Sequence, residues 1–522
     1  MSGSAGPTDD DGFCSSRELF KSVVDFLDAE EAFGLDHGAL EARLEVSSRE
    51  LFRRLFQDHL DLRAQCEERV EGVVDATGAP RSSVEDGHHR ALVTVFGEVS
   101  VERLAYRRRG EENLHLADAS LNLPEEKHSH GLRRWSAIEA SRGSYDEATA
   151  AIERGTGQKV GKRQVESLAE RAAFDVDAFY AERSAPECAP GDILVLSVDG
   201  KGIVMRPEAL RGATKKAAED TSPKLQGRLS RGEKRGRKRM AEIGAVYDVV
   251  PVPRSPTDVL ASKDDEQVKG PEANHKWLTA SVLEDAAPVI GDVFDEAERR
   301  DPQHLCTWVA LVDGNKHQID CIETQAHRRT IDVTIIIDLI HVLEYLWTAA
   351  WCFFEEGDPR AEAWVRTRAL AILEGGARDV AAGIRRRASS EGLKGSERKG
   401  ADTCAKYLTN KADYLDYPTA LAGGWPIATG IIEGACRHIV KDRFDVTGAR
   451  WSVDGAEAIL KLRVVRSNGD FDDYWRFHLL REHERVHRSR YANNIIPALA
   501  RVSGLSPERA PFVRRDSLQR FA

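Results

Sequence analysis

The chain has 522 residues, of which 41% are hydrophobic and 31% charged, a composition typical of a soluble globular protein with several domains. Its net charge of −11 at pH 7 argues against a protein that coats nucleic acid nonspecifically, because phosphate affinity comes from clustered Lys and Arg. The sequence contains no membrane-length apolar run, no signal-peptide pattern and no paired-cysteine motif. We therefore expect a cytoplasmic protein with reduced thiols and without zinc.

The first part of the chain predicts helices around one β-hairpin. Residues 1–15 are rich in Ser, Gly and Asp and predict a disordered tail. Apolar residues then recur at helical spacing. From Ala91 to Arg109, apolar and polar residues alternate on either side of Gly97, which predicts two antiparallel strands joined by a tight turn.

Residues 144–173 predict two short helices joined by a Gly-containing turn. Lys162, Arg163 and Gln164 lie at the start of the second helix, where the recognition helix of a helix-turn-helix contacts DNA. An ordinary helical hairpin explains the same pattern equally well. We keep these three residues as candidate DNA contacts.

From Asp192 onward the sequence predicts an α/β domain. Its expected elements are, in order, strands 193–200, 202–206 and 241–252 in an antiparallel meander, helix 276–300, strand 307–314, helix 323–329 and strand 333–338. Three antiparallel strands, a helix, a strand, a helix and a fifth strand is the element order of an RNase H-like core. The stretch from His341 to Leu421 is helical and predicts an insertion before the last core helix.

Two segments concentrate basic residues, 215–239 and 385–399. In an acidic chain, such segments suit a protein that meets DNA at defined places, although solvated loops have the same composition. The candidate DNA contacts of the first segment are Lys234, Arg235, Arg237, Lys238 and Arg239.

Two predicted strands, 193–200 and 307–314, end in Asp-Gly, at Asp199 and Asp313. Carboxylates at the ends of adjacent strands converge, and Glu433 lies on the helix after a Gly-Trp-Pro break. Phosphodiester cleavage through two Mg²⁺ or Mn²⁺ ions requires a few such ligands. We predict Asp199, Asp313 and Glu433 as catalytic metal ligands, while noting that Asp-Gly after a strand is often only a turn.

Asp338 also ends a predicted strand and is followed by His341 in an Asp-x-x-His step. This pair could orient DNA or handle a proton beside the metals, or Asp338 could be a plain helix cap. Near Glu433, the residues Arg437, Lys441 and Arg443 could hold a phosphate. An intrahelical ion pair of Arg437 with Glu433 accounts for that spacing equally well.

These features give the expected domain organisation. It comprises a disordered tail 1–15, an N-terminal helical region 16–84, a β-hairpin module 85–125, a helix-turn-helix-like DNA-binding region 126–185, a first part of the RNase H-like core 190–340 with a basic insertion 207–240, a helical insertion 341–424, the last core helices 425–465 and a C-terminal helical tail 466–522.

The segments SVDGKGIVMR, VALVDGNKHQ, IIIDLIHVLEYLW and PIATGIIEGACRHIVKDRF, followed by GARW, resemble ISKra-type insertion-sequence transposases over roughly Val195 to Leu462. More distantly, the layout is similar to Mutator-like transposases. The resemblance implies Asp199, Asp313 and Glu433 as the catalytic triad, with Asp338 and His341 as an accessory step that could also supply the second carboxylate. It further implies terminal inverted repeats as substrate. The chain departs from the pattern in lacking a zinc ribbon before the catalytic domain.

The resulting expectation is a Mg²⁺- or Mn²⁺-dependent DDE transposase that cleaves element ends and joins the 3′-hydroxyl to target DNA. It would act as a homo-oligomer on DNA, in the cytoplasm at the nucleoid. Two alternatives remain at this stage. One is an RNase H-like nuclease that cuts without joining, and the other is a helix-turn-helix regulator derived from an inactive transposase.

Overall fold

A computed structural model describes residues 12–220, 237–261, 268–446 and 448–499. The chain divides into two compact units. The first unit comprises Met1–Glu139, Tyr145–Val165 and Trp475–Ala522, and the second comprises Ala140–Ser144 and Glu166–Tyr474. Of the two predicted tails, residues 1–11 and 500–522 lie outside the described residues.

The described residues form helices and strands throughout. The strands are β1 (Ser83–Thr94), β2 (Gly97–Arg107), β3 (Ile193–Val204), β4 (Lys238–Val249), β5 (Ala273–Ser281), β6 (Thr307–Val312) and β7 (Val333–Ile337). The helices are α1 (Cys14–Leu27), α2 (Glu30–Phe33), α3 (His37–Gln65), α4 (Leu116–Ser120), α5 (His130–Arg142), α6 (Tyr145–Thr156), α7 (Lys162–Ala172), α8 (Val176–Glu182), α9 (Gly212–Glu219), α10 (Pro256–Val259), α11 (Ala286–Arg300), α12 (Lys316–Arg329), α13 (Leu339–Ala350), α14 (Pro359–Leu373), α15 (Ala377–Ser390), α16 (Lys399–Asn410), α17 (Tyr417–Ala422), α18 (Gly430–Ala435), α19 (Asp442–Phe444), α20 (Val453–Ser467) and α21 (Phe471–Val486). A π-helical segment, Cys436–Lys441, joins α18 to α19.

The first unit contains the β-hairpin that the sequence predicts. β1 and β2 pair antiparallel, with Thr94 opposite Gly97. Gly97 has a φ of 141°, and a Cβ there would come within 2.6 Å of the Arg53 side chain, so both backbone and space require glycine. Leu92 and Val99 are buried against Leu60 of α3. The alternation of apolar residues thus places one face of the hairpin on a helix.

The second unit is built on a five-stranded mixed sheet in the order β5-β4-β3-β6-β7. β3 pairs antiparallel with β4, and β4 with β5, whereas β3, β6 and β7 run parallel. On one face, Gly244 of β4 leaves no room for a side chain beside Val293 of α11. On the other face, helices α13–α17 pack on β3, β6 and β7 through a continuous buried cluster. These helices follow β7, where the sequence predicts a helical insertion.

The predicted break between strands 193–200 and 202–206 is wrong, because β3 continues unbroken from Ile193 to Val204. Gly200 and Gly202 are extended here. A Cβ on them would lie 2.9 Å from Met240 Cε and 2.8 Å from Lys238 Cδ. The two glycines therefore make room for side chains of the neighbouring strand instead of forming a turn.

The predicted helix 276–300 is also wrong at its start, because β5 occupies Ala273–Ser281 and α11 begins only at Ala286. β5 is an edge strand, and its last five residues are all buried. Asn468 covers this edge: its side chain accepts a hydrogen bond from Leu278 N at 2.9 Å and donates one to Leu278 O at 3.0 Å. The covered edge explains why β5 lacks the alternation of a half-exposed strand.

None of the helices in the described part of the chain combines the length and the apolar character that a membrane crossing requires.

Candidate metal centre

Three aspartates follow the last paired residues of three adjacent parallel strands. Asp313 and Asp338 come directly after β6 and β7, whereas Asp199 lies within β3, one residue beyond its pairing with β6. Val198 of β3 pairs with Val312 of β6, and Val312 pairs with Ile337 of β7. The next residue on each strand is an aspartate, namely Asp199, Asp313 and Asp338. Because side chains alternate along a strand, residues in register on parallel strands share a face, here the face that carries α13–α17.

Asp199 contacts the segment that follows α18. Its Oδ1 accepts a hydrogen bond from Gly200 N at 2.7 Å, and its Oδ2 lies 3.1 Å from Cys436 Sγ, which donates to it. Cys436 is buried and opens the π-helical segment. Burial and the adjacent Asp199 carboxylate raise the pKa of the Cys436 thiol, so the thiol stays protonated as a donor. π-Helical turns are frequent where a helix must aim side chains at a functional site.

Asp313 is held by its own turn and by the helical insertion. Its Oδ1 accepts from Asn315 N at 2.7 Å, and its backbone carbonyl accepts from the Tyr407 hydroxyl at 2.9 Å. Gly314 follows with a φ of 91°, where a Cβ would lie 3.0 Å from the same hydroxyl. The Asp-Gly pair thus ends β6 with a side-chain-to-backbone hydrogen bond, and the half-buried carboxylate keeps an Oδ2 that accepts from no donor among the described residues.

Asp338 is fully buried and caps α13. Its Oδ1 accepts from Ile340 N at 2.7 Å. Its Oδ2 accepts from Thr429 N at 3.2 Å and from the Thr429 hydroxyl. The helix-cap interpretation of Asp338 is therefore confirmed, and the same carboxylate also ties α13 to the residue just before α18.

Asp338, His341 and Glu433 form a compact group of possible metal ligands, with one ligand atom of each within 4.8 Å of the others. His341 Nδ1 lies 3.8 Å from Asp338 Oδ2. The Asp338 carboxylate raises the pKa of His341 to about 9. Glu433 lies in the first turn of α18. Partial burial and the negative charges of Asp338, Glu344 and Asp199 raise the pKa of Glu433, although His341 opposes them.

This donor set fits a hard divalent cation. Carboxylate oxygens are the ligands that Mg²⁺ and Mn²⁺ prefer, and an imidazole is also acceptable to Mn²⁺ once it has lost the proton that Asp338 favours on His341. Repulsion from the nearby carboxylates adds to burial in raising the pKa of Glu433, although the charge of His341 offsets part of it. A cation bound among them would relieve that repulsion.

The helix-turn-helix candidates lie on the surface of the first unit. Lys162, Arg163 and Gln164 are all exposed at the start of α7. Lys162 forms an ion pair with Asp146, and the Gln164 side chain accepts from Gly161 N at 3.1 Å. Neither of these side-chain contacts involves Arg163, the remaining candidate.

The candidate DNA contacts of the first basic segment differ in their surroundings. Lys234 and Arg235 lie outside the described residues. Arg239 donates to Val282 O at 2.7 Å and to Leu283 O at 2.8 Å, so it holds a backbone turn. Lys238 Nζ lies 3.8 Å from Asp445 Oδ1. Arg237 is half-buried.

The basic residues after Glu433 divide into two groups. Arg437 and Lys441 are exposed. Arg443 is only 3% exposed, donates to Ala140 O at 3.0 Å and lies 4.6 Å from the centre of the Trp451 ring. Arg443 thus packs inside the second unit, whereas the other two remain accessible to a phosphate.

Sequence reasoning missed three residues that shape the site, namely Tyr407, Thr429 and Cys436. Each contacts a strand-end aspartate that is 91 to 237 residues away in sequence. Cys436 lies three residues after Glu433, so one helical turn connects the two, and this spacing was the only local signal available.

No protein-family model matches the chain, and no curated protein is significantly similar to it.

Proposed function

We propose that the chain is a DDE transposase that cleaves DNA at the ends of an insertion sequence and joins the freed 3′-hydroxyl to target DNA. The observation that carries the proposal is the set of three aspartates that strand pairing aligns on β3, β6 and β7, with Glu433 grouped with one of them, Asp338, and within electrostatic range of Asp199. Phosphoryl transfer by two divalent cations requires this kind of carboxylate cluster at one edge of a rigid sheet.

The sheet supports an RNase H-like core. Its order β5-β4-β3-β6-β7, with the first three strands antiparallel and the last three parallel, agrees with the fold expected of such an enzyme. The strand and helix ends that carry Asp199, Asp313 and Glu433 occur in that order along the chain, and the helical insertion lies between the last two.

Asp199, Asp313 and Glu433 would hold the Mg²⁺ or Mn²⁺ ions. Such ions, when bound, activate water and stabilise the leaving oxygen of a phosphodiester. Asp313 is preferred to Asp338 as the second ligand because its Oδ2 accepts no hydrogen bond from the described residues, whereas the fully buried Asp338 accepts from two backbone N–H groups and from the Thr429 hydroxyl. His341, protonated at neutral pH beside Asp338, would donate to a phosphate oxygen of the scissile strand.

Exposed basic residues would contact the DNA. Arg163 is the leading candidate in the first unit, with Lys162 and Gln164 beside it, and Arg437 and Lys441 are the candidates next to Glu433. We propose terminal inverted repeats and target DNA as partners, with the protein acting as a homo-oligomer at the nucleoid.

The decisive experiment measures strand cleavage and strand joining on labelled DNA that carries the sequences flanking the gene of this chain. The protein is incubated with this DNA, a target plasmid and Mg²⁺ or Mn²⁺. We expect cleaved ends and joined products from the wild type, and neither product from Asp199→Asn, Asp313→Asn or Glu433→Gln. Asp320→Asn, which changes an exposed carboxylate of α12, is the matched control and should remain active.

Other results would redirect the proposal. Cleavage without joined products would indicate a nuclease. DNA binding without any cleavage would indicate a regulator. An inactive Asp338→Asn together with an active Asp313→Asn would move the second ligand to Asp338, provided that the Asp338 variant is folded.

A further inference from the structure

A groove in the helical insertion lies away from the strand-end aspartates, between α14 and α15. Its volume of about 430 Å³ falls within the range of sites for small molecules. The lining residues are Trp364, Thr367, Arg368, Ala371, Glu374, Gly376, Asp379, Val380, Gly383, Ile384 and Arg387. Those from α14 recur at three- and four-residue spacing, so one face of that helix forms a wall.

One end of the groove is cationic, and aromatic rings support its two guanidinium groups. Arg368 lies 4.6 Å from the centre of the Trp364 ring. Arg387 lies 4.4 Å and 4.6 Å from the rings of Phe353 and Phe354. Such stacking fixes a guanidinium plane while leaving N–H groups free to donate. This end is therefore built in advance for an anion.

The charge at this end is incompletely balanced. Arg387 donates through Nε to Glu391 at 2.7 Å, whereas Arg368 has no carboxylate within ion-pair distance among the described residues. Burial and the neighbouring Arg387 charge lower the pKa of Arg368. An anion placed between the two arginines would remove that repulsion.

Trp364 positions the cationic end. Its side chain is 7% exposed and lines the groove, and its ring supports Arg368. Its indole Nε1 is buried, so the residue contributes the ring and not a donor to the groove.

The opposite end of the groove is acidic, and apolar side chains line its floor. Ala371, Val380 and Ile384 form the floor, and a Cβ on Gly383 would meet nothing within 4 Å, so the groove is open above it. Glu374 and Asp379 are exposed acceptors at the far end. Arg387 and Asp379 are eight residues apart on α15, which corresponds to about 12 Å along the helix.

We propose that this groove binds a single nucleotide, with its phosphate at Arg368 and Arg387 and its base over the apolar floor. An exocyclic amino group of the base would donate to Glu374 or Asp379. The polarity of the groove favours a nucleotide over inorganic phosphate, which would use only the cationic end. The nucleotide could be free or an unpaired residue of a DNA strand. The proposal does not depend on the catalytic assignment.

The test is isothermal titration of the full-length protein, without divalent metal, with dAMP, with inorganic phosphate and with single-stranded (dA)6. We expect saturable binding of dAMP or (dA)6 and much weaker binding of phosphate. Arg368→Gln removes charged hydrogen bonds and should weaken binding by about 10-fold or more. Trp364→Leu removes the ring that supports Arg368, so it should also weaken binding. Arg366→Gln, an exposed arginine of the same helix that does not line the groove, should not.

Each outcome has a fixed meaning. Binding of dAMP indicates a site for free nucleotides, and binding of (dA)6 alone indicates an unpaired residue of a strand; both support the proposal. It is overturned if neither probe binds, if phosphate binds as tightly as dAMP, or if Arg366→Gln weakens binding as much as Arg368→Gln. Thermal unfolding of each variant establishes that it is folded before titration.

Discussion

The Tyr407 hydroxyl donates a hydrogen bond of 2.9 Å to the backbone carbonyl of Asp313. Tyr407 belongs to α16 of the helical insertion, and its ring stacks on Tyr345 of α13 with the ring centres 3.9 Å apart. The insertion thus braces the end of β6. A strand-end carboxylate is only as well placed as the backbone that carries it, so this contact connects the insertion to the proposed metal site.

Tyr407→Phe should therefore weaken both stability and metal binding. The variant keeps the ring stack but leaves the Asp313 carbonyl without its donor, which should lower the free energy of unfolding by about 1 kcal/mol. The concentration of Mn²⁺ needed for half-maximal cleavage should rise severalfold. Tyr414→Phe removes a hydroxyl that donates to the exposed Glu323 and is the matched control. Equal metal dependence in wild type and Tyr407→Phe would show that the brace does not act on the site.

Asp338→Asn should destabilise the fold, whereas Asp313→Asn should not. Asp338 accepts hydrogen bonds on both oxygens, and an amide would turn N–H groups towards Ile340 N or Thr429 N. The resulting unpaired donor should cost about 1–3 kcal/mol. Asn at position 313 keeps an oxygen for Asn315 N and removes one negative charge from the cluster, so stability should change by about 0.5 kcal/mol or less.

Urea unfolding of the two variants checks this difference. Thr429→Val, which removes the hydroxyl partner of Asp338, should resemble Asp338→Asn in stability while leaving every carboxylate in place. If Asp338→Asn is as stable as wild type, the cap contributes nothing, and any loss of its activity would then indicate a direct role in metal binding.

Local sequence patterns predict an element correctly where the backbone preference of its residues and their pattern of burial indicate the same structure. The hairpin follows from alternation around Gly97, where the turn requires a positive φ. β3 was split in the prediction because Gly200 and Gly202 suggest a turn, although their small size serves the packing of Met240 and Lys238. β5 was missed because its covered edge removes alternation. Both errors arise from tertiary contacts that no local window contains.

The residues of the candidate site were predictable from the sequence, but their arrangement was not. Asp199, Asp313 and Asp338 end apolar runs, so each was visible in the sequence, but the register that aligns them comes from pairing between strands. The contact of Cys436 with Asp199 joins residues 237 positions apart. The sequence does not predict the burial of Arg443 either, because a basic helical residue near an acidic one is compatible with an exposed or a buried position.

In the first unit, Arg133 and Glu482 form a buried ion pair across 2.5 Å. Burial alone would raise the pKa of Glu482, but the hydrogen bond and charge of Arg133 lower it overall. Glu482→Ala leaves the fully buried guanidinium with Glu126, 2.9 Å away, as its remaining carboxylate partner, and should cost about 1–3 kcal/mol. Glu484→Ala, on the exposed side of the same helix, should cost about 0.5 kcal/mol or less. Chemical unfolding measures both losses in the free energy of unfolding. Equal losses would mean that the buried ion pair contributes no more to stability than the exposed Glu484.

The first unit should also lose stability in mild acid. Burial, and then the charge of Arg103, lower the pKa of His115 to about 4, while its Nδ1 lies 2.9 Å from Leu104 O. A depressed histidine pKa stabilises the fold above the unfolded value of about 6.5, and this contribution is lost as the pH falls towards 4. His115→Gln keeps a donor for Leu104 O but does not titrate. Solvent screens part of this effect at the half-buried ring, so between pH 7.5 and 4.5 the variant should lose about 1 kcal/mol less than wild type in the free energy of unfolding. Urea unfolding at both pH values measures this difference, and His37→Gln, at an exposed histidine, is the control. Equal losses of stability in wild type and His115→Gln would exclude His115 as a source of acid sensitivity.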